Sequence, residues 1–217
     1  MPGHVLDACF VEDLQAAGLL AASCTNLEQP VVGGFAASAD TELAWRMADL
    51  ARYGVRVRHL TSLEVVQHQS LQANHPVLSV ADAEALVIAR ADEAVLLTGD
   101  GSLRKAALDV GVDVRGVIGE LKRLVAAVVI DPPGALTALE TIVASGSRLP
   151  HDEVAAARRQ WFKMIVKGRG PGWLCATTNQ RTSRLRLPPR SPSRGTPRAA
   201  SGAFVPARGR LHPRSRR

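Results

Sequence analysis

Residues 79–107 read SVADAEALVIARADEAVLLTGDGSLRKAA, and this stretch decides what kind of fold the chain can adopt. Ala85, Leu86 and Ala89 stand three, four and seven positions after Asp82, so one helix face carries both the acid and an apolar stripe. That spacing turns Asp82 towards the core side. The apolar run from Val95 to Leu97 then reads as a strand, ends in Thr98, Gly99 and Asp100, and hands over to another helix. A helix with an acid on its apolar side thus feeds a strand that ends in a second acid. Either two carboxylates are brought together, or two ordinary caps fall in sequence. Ser79 to Asp82 is an S-x-x-D capping arrangement, and Asp100 between two glycines suits a turn or a helix cap.

The same alternation extends in both directions. HVLDA at residues 4–8 begins a short apolar strand, after which Phe10, Leu14, Ala17 and Ala21 recur at helical spacing. Residues 30–35 suit a strand or a loop. Leu43, Met47 and Leu50 form a helix stripe within 41–53, with Gly54 as its C-terminal stop. VRVRHL at 55–60 has period two and predicts a strand with one wet face, at a sheet edge. A helix over 63–72 stops before His75 and Pro76. Beyond the opening stretch come a strand in VDVRGV (112–117), a helix with Leu121, Leu124 and Val125, and two closing helices over 134–145 and 150–165. Such a β-α-β alternation predicts an α/β fold with a parallel sheet covered by helices on both faces.

The net charge of +7 is unevenly spread. From Lys167 to Arg217 there are one Lys, twelve Arg and no acid, leaving fourteen basic against twenty acidic residues before that point. The last 51 residues also hold seven of the thirteen prolines and no apolar period, so they bury too little to offset the entropy of ordering. Two parts are expected: a folded domain over 1–166, and a disordered Arg/Pro/Ser-rich basic tail over 167–217. Such a tail can bind RNA phosphates without sequence preference, or can be a merely solvated extension. Cys9, Cys24 and Cys175 have no paired metal spacing and suit a reducing cytoplasm. No charged leader precedes a long apolar run, and no uncharged stretch reaches membrane-spanning length, so neither secretion nor a membrane partner is indicated.

In open α/β sheets the ligand crevice lies outside the carboxyl ends of the strands. Asp7 ends the first strand and Asp100 ends a later one, so both point to that edge, and Asp82 can converge on them. Packed carboxylates repel and lose hydration, and are tolerable chiefly when a cation is shared or a proton taken up. Oxygen ligands of this kind suit Mg²⁺ or Mn²⁺, which activate water and stabilise charge developing on a phosphodiester. Each acid also has an ordinary reading as a cap or a strand-end group in water. Thr98 is either a β-branched strand residue or a hydrogen-bonding support for water at the ion, and Glu42 has Arg46 four residues on as an ordinary helix partner.

HVLDACFVEDL, TELAW, LSVADAEALVIA, LLTGDGSLRKAALDVGVDVRGVIGELKRLV and ASGSRLPHDE resemble PIN domain ribonucleases, especially VapC-like toxins of toxin-antitoxin pairs. The resemblance covers about residues 1–165. It implies a three-layer α/β/α fold and a metal-dependent endoribonuclease whose acidic cluster is Asp7, Glu42, Asp82 and Asp100, with Thr98 in support. It implies Mg²⁺ or Mn²⁺ as cofactor, RNA as substrate and a small antitoxin protein as partner, and it leaves room for a homodimer. VVGGFAASADTELAW departs from the usual apolar helix start before Glu42, and the tail finds no counterpart.

Other chemistry has less support. His4, His59, His68, His75, His151 and His212 lack zinc spacing and suit surface or cap positions. Phosphate-loop and dinucleotide-binding glycine patterns are absent. Cys9 reads as a small core residue rather than a nucleophile. Two alternatives stand beside the nuclease: an inactive PIN fold that binds RNA or a partner, and a phosphoacceptor signalling domain of similar shape. The second needs a basic residue after a late strand, where only Arg115 is available.

Overall fold

The structure, a computed structural model, describes residues 2–38 and 42–168, without the side chains of 42–46 and 168. The Glu42 carboxylate and the basic tail from residue 169 onward lie outside the described residues. Among the described residues five strands form one parallel sheet: β1 (His4–Leu6), β2 (Pro30–Gly33), β3 (Arg56–Arg58), β4 (Val95–Leu97) and β5 (Val114–Arg115). Their order across the sheet is β3-β2-β1-β4-β5, so the direction of winding reverses between β1 and β4. The helices between them are α1 (Ala8–Ala16), α2 (Leu20–Cys24), α3 (Gly34–Ser38), α4 (Glu42–Arg52), α5 (Ser62–Asn74), α6 (Val80–Ala91) and α7 (Gly101–Asp109). After β5 come α8 (Val117–Ala126), α9 (Pro132–Ala144) and α10 (His151–Gly168).

Alternation along the strands divides the core in two, because successive strand residues face opposite sides. Leu6, Val32 and Leu97 face one side and pack with residues of α1, α2, α8, α9 and α10, Trp161 among them. Val5, Val31 and Leu96 face the other side and pack against Leu86, Ile88 and Ala89 of α6 and Leu103 and Ala107 of α7. The fold is therefore the α/β sheet, covered on both faces, that the alternation predicted. Among the described residues no helix is long and apolar enough to cross a membrane.

The segment over 30–35 contains both a strand and the start of a helix. β2 stops at Gly33, and α3 begins at once because the buried carboxylate of Glu84, on α6, faces the amides of Gly34, Phe35 and Ala36. Its Oε2 accepts from the Phe35 N–H at 2.8 Å. A Cβ on Gly33 would collide with that carboxylate, and one on Gly34 with the His59 ring.

β3 is the edge strand expected from VRVRHL. Arg58 from this strand donates to Glu64 at 2.6 and 2.7 Å and to Asp92 at 2.9 Å, while Glu64 also completes a capping box with Thr61 at the start of α5. Hydrogen bonds from the Arg58 guanidinium are the main reason that the Glu64 carboxyl is held down at about 2, below its ordinary 4.5. A carboxyl depressed in the folded state stabilises the fold above its unfolded value, and that contribution is lost as pH falls from 4.5 towards about 2. Glu64→Gln keeps the cap but loses the charge. Urea unfolding is expected to show a loss of about 1 to 3 kcal/mol at pH 7 and a flatter acid limb below pH 4.5. An acid limb unchanged by the substitution would remove the ion pair as its cause.

Candidate active site

β1 and β4 are adjacent, with Leu6 paired to Leu97, so the residues that follow them leave the sheet side by side at its carboxyl edge. The reversal of strand order lies between these same two strands, where open α/β sheets leave a crevice. Asp7 is held there from three directions. Its N–H donates to the Leu97 carbonyl at 3.0 Å, and its Oδ1 caps α1 by accepting from the Ala8 N–H at 2.7 Å. Its Oδ2 accepts from the Thr98 hydroxyl at 2.7 Å and the Cys9 thiol at 2.8 Å.

Thr98 is fully buried, and its hydroxyl oxygen also accepts from the Asp100 N–H at 3.0 Å. It therefore ties the end of β1 to the start of α7. Asp100 caps α7, its Oδ1 accepting from the Ser102 and Leu103 N–H groups, both at 2.8 Å. Asp82 caps α6 in a reciprocal box, its Oδ2 accepting from the Ser79 N–H at 2.9 Å while Ser79 Oγ accepts from the Asp82 N–H at 3.1 Å. The cap reading of the opening stretch thus holds for both acids. It leaves Asp100 Oδ2 and Asp82 Oδ1 without a hydrogen bond among the described residues.

Burial raises the pKa of Asp7; the Cys9 and Thr98 hydrogen bonds oppose the shift, and the nearby Asp82 carboxylate adds to it. No Lys or Arg forms an ion pair with Asp7 among the described residues. Asp7, Asp82 and Asp100 share an edge, but the described residues contain no group of three or more His, Cys, Asp or Glu side chains that could hold a metal ion. Glu42 heads α4, and its side chain lies outside the described residues.

Cys9 differs from the expected core residue. It is half-buried and lines a cleft of about 610 Å³ beside Asp100. Burial and the adjacent Asp7 carboxylate push its thiol up to about 12, so it stays a hydrogen-bond donor rather than a nucleophile. His4 and His68 correct the surface reading of the histidines: both are buried, and their rings bond the carbonyls of Glu28 and Val80 at 3.0 Å.

Besides Glu64, three buried acids among the described residues escaped the sequence reading: Asp13, Glu84 and Glu120. Asp13 lines the cleft, accepts from the Ser147 hydroxyl at 3.0 Å, and is pushed up to about 6, chiefly by burial. Glu120 is fully buried and satisfied by Ser23, Arg115 and Arg123. An acid inside an apolar helix stripe, as in VADAEALVIA or VIGELKRLV, was the available signal for the latter two.

The family model DUF3368, described as a PIN domain, matches residues 46–163, more than half of the chain. That span contains Asp82, Thr98 and Asp100 and begins after Asp7 and Glu42. No curated protein and no solved structure matches the chain. A parallel sheet that leaves Asp7 and Asp100 bridged at its reversal point, together with a family match over most of the helices and strands behind it, leads to one conclusion: this chain belongs to the PIN domain family.

Proposed function

We propose that the protein is a metal-dependent endoribonuclease that hydrolyses phosphodiester bonds of single-stranded RNA. PIN domains are typically nucleases and generally depend on metal. The observation that carries the reading is the pair Asp7 and Asp100, bridged by Thr98 across the two strands where the sheet reverses. Asp7 is a buried carboxylate without a cationic partner, a condition that a shared cation relieves.

Mg²⁺ is often held by only one or two carboxylates, with waters and substrate phosphates filling the other positions. Asp7 and Asp100 are oxygen donors of the kind such an ion takes, and Asp82 and Glu42 complete the set that the sequence suggests. Bound there, Mg²⁺ or Mn²⁺ supplies Lewis acidity to a water nucleophile and to the phosphate under attack. The chain's own contribution is orientation. Thr98 fixes the Asp7 carboxylate, and the α7 and α6 caps fix the rotamers of Asp100 and Asp82 while leaving one oxygen of each without a hydrogen bond among the described residues. The phosphoacceptor alternative is weaker because Arg115 is engaged by the buried Glu120 at 3.3 Å.

In the biological reading the protein is a cytoplasmic VapC-like toxin, restrained by a small antitoxin that covers the acidic edge, and able to form a homodimer. The test uses the purified full chain, free of any partner. Single-stranded RNA is expected to be cut in Mg²⁺ or Mn²⁺ and left whole in EDTA. Cutting that survives thorough chelation would refute the metal-dependent reading, binding without cutting would favour the inactive PIN alternative, and an acyl phosphate would favour signalling.

A further inference from the structure

The cleft beside Asp100 has two unlike walls. One carries Glu12, Asp13 and Asp100, and the other is the turn between α9 and α10, where Ser145, Ser147 and Arg148 line the space. Arg148 is the only cation in that lining, is exposed, and makes no hydrogen bond or ion pair among the described residues. By contrast, Arg104 faces Glu153, and Arg115 and Arg123 share the buried Glu120.

The turn that carries Arg148 is tied down. Gly146 takes φ +93°, a left-handed conformation that favours glycine, and its N–H returns to the Val143 carbonyl at 3.2 Å. Ser147 then donates to Asp13 Oδ2 at 3.0 Å. Asp13 belongs to α1, the helix that Asp7 caps, so the turn is referenced to the same element as the proposed reacting edge. A polyanion approaching an edge rich in carboxylates meets repulsion unless cations flank it, and a guanidinium engages phosphate in a bidentate fork.

Resting on the ribonuclease reading above, we propose that Arg148 binds a backbone phosphate of the RNA next to the one being cut, with the Ser147–Asp13 hydrogen bond as the positioning contact that holds the turn. The ligand class is a nucleic-acid phosphodiester. Arg148 reads no base and takes no part in the chemical step.

The full chain is assayed on single-stranded RNA with Mn²⁺. Arg148→Ala is expected to raise KM about tenfold with kcat within about twofold, and to flatten the salt dependence of log kcat/KM by about 0.7. Arg148→Lys should recover much of the loss, because charge is kept while the fork is not. Ser147→Ala should raise KM in the same direction by less. Arg90→Ala, a charge removed from the other side of the sheet, should leave KM unchanged.

A KM for Arg148→Ala equal to the parent's, while the parent cuts RNA, would overturn this inference and leave the nuclease standing. If the parent does not cut, the nuclease reading falls, and fluorescence anisotropy of labelled RNA in EDTA decides the contact: equal affinity of parent and Arg148→Ala removes it, and weaker binding by the variant retains it.

Discussion

Asp100→Asn is expected to lower RNA cleavage by about a hundredfold to a thousandfold while leaving the melting temperature close to that of the parent, and Asp82→Asn should behave alike. The two expectations come from different properties of the same group. Asp100 Oδ1 accepts the Ser102 and Leu103 amides, and an asparagine oxygen accepts them about as well, so α7 keeps its cap. An ion requires the negative charge that the carboxylate spreads over both oxygens, and the neutral amide does not supply it. Stability and activity therefore separate, which a purely structural role does not allow. Mn²⁺ should raise the melting temperature of the parent more than that of either variant, because a ligand that binds only the folded state stabilises it. Full cleavage by both variants, with equal stabilisation by Mn²⁺, would show that these acids are caps and nothing more.

Trp161→Ala is expected to cost about 3 to 5 kcal/mol of unfolding free energy, the range for emptying a large buried aromatic site. Trp161 is fully buried in α10 and belongs to the main core cluster with residues of α8 and α9. Its indole Nε1–H is the one buried side-chain polar atom without a partner among the described residues. Trp161→Phe should consequently be much milder than its loss of volume suggests, because deleting an unpaired donor recovers about 1 to 3 kcal/mol. Urea unfolding of the two variants measures both. A phenylalanine variant as unstable as the alanine one would mean that the indole nitrogen carries no desolvation cost.

The strand and helix alternation was legible because it rests on local periodicity. Val95 to Leu97 followed by a capped helix needs only neighbouring residues to be recognised, and so does the edge character of VRVRHL. What escaped the sequence depends on partners far along the chain. Ser147 reaches Asp13 across 134 positions and Ser23 reaches Glu120 across 97, so neither buried acid could be assigned a partner from spacing. Glu84 is the clearest case, since the break between β2 and α3 is set by a carboxylate 49 residues beyond Phe35. The opening pair of acids was underdetermined for another reason: a cap occupies one oxygen of each carboxylate, and a sequence does not say where the other one points.

The rims of the sheet carry a consequence for behaviour at high concentration. β3 is three residues long, with Arg56 and Val57 exposed and Arg58 locked to Glu64 and Asp92, and β5 is only two residues long. A second chain arriving edge to edge would find few open amides, and a like-for-like approach at β3 would set Arg56 against its own copy. Growth by strand addition, the usual route from a parallel sheet to a fibril, is thus blocked at both ends of the sheet by brevity and, at one of them, by charge as well.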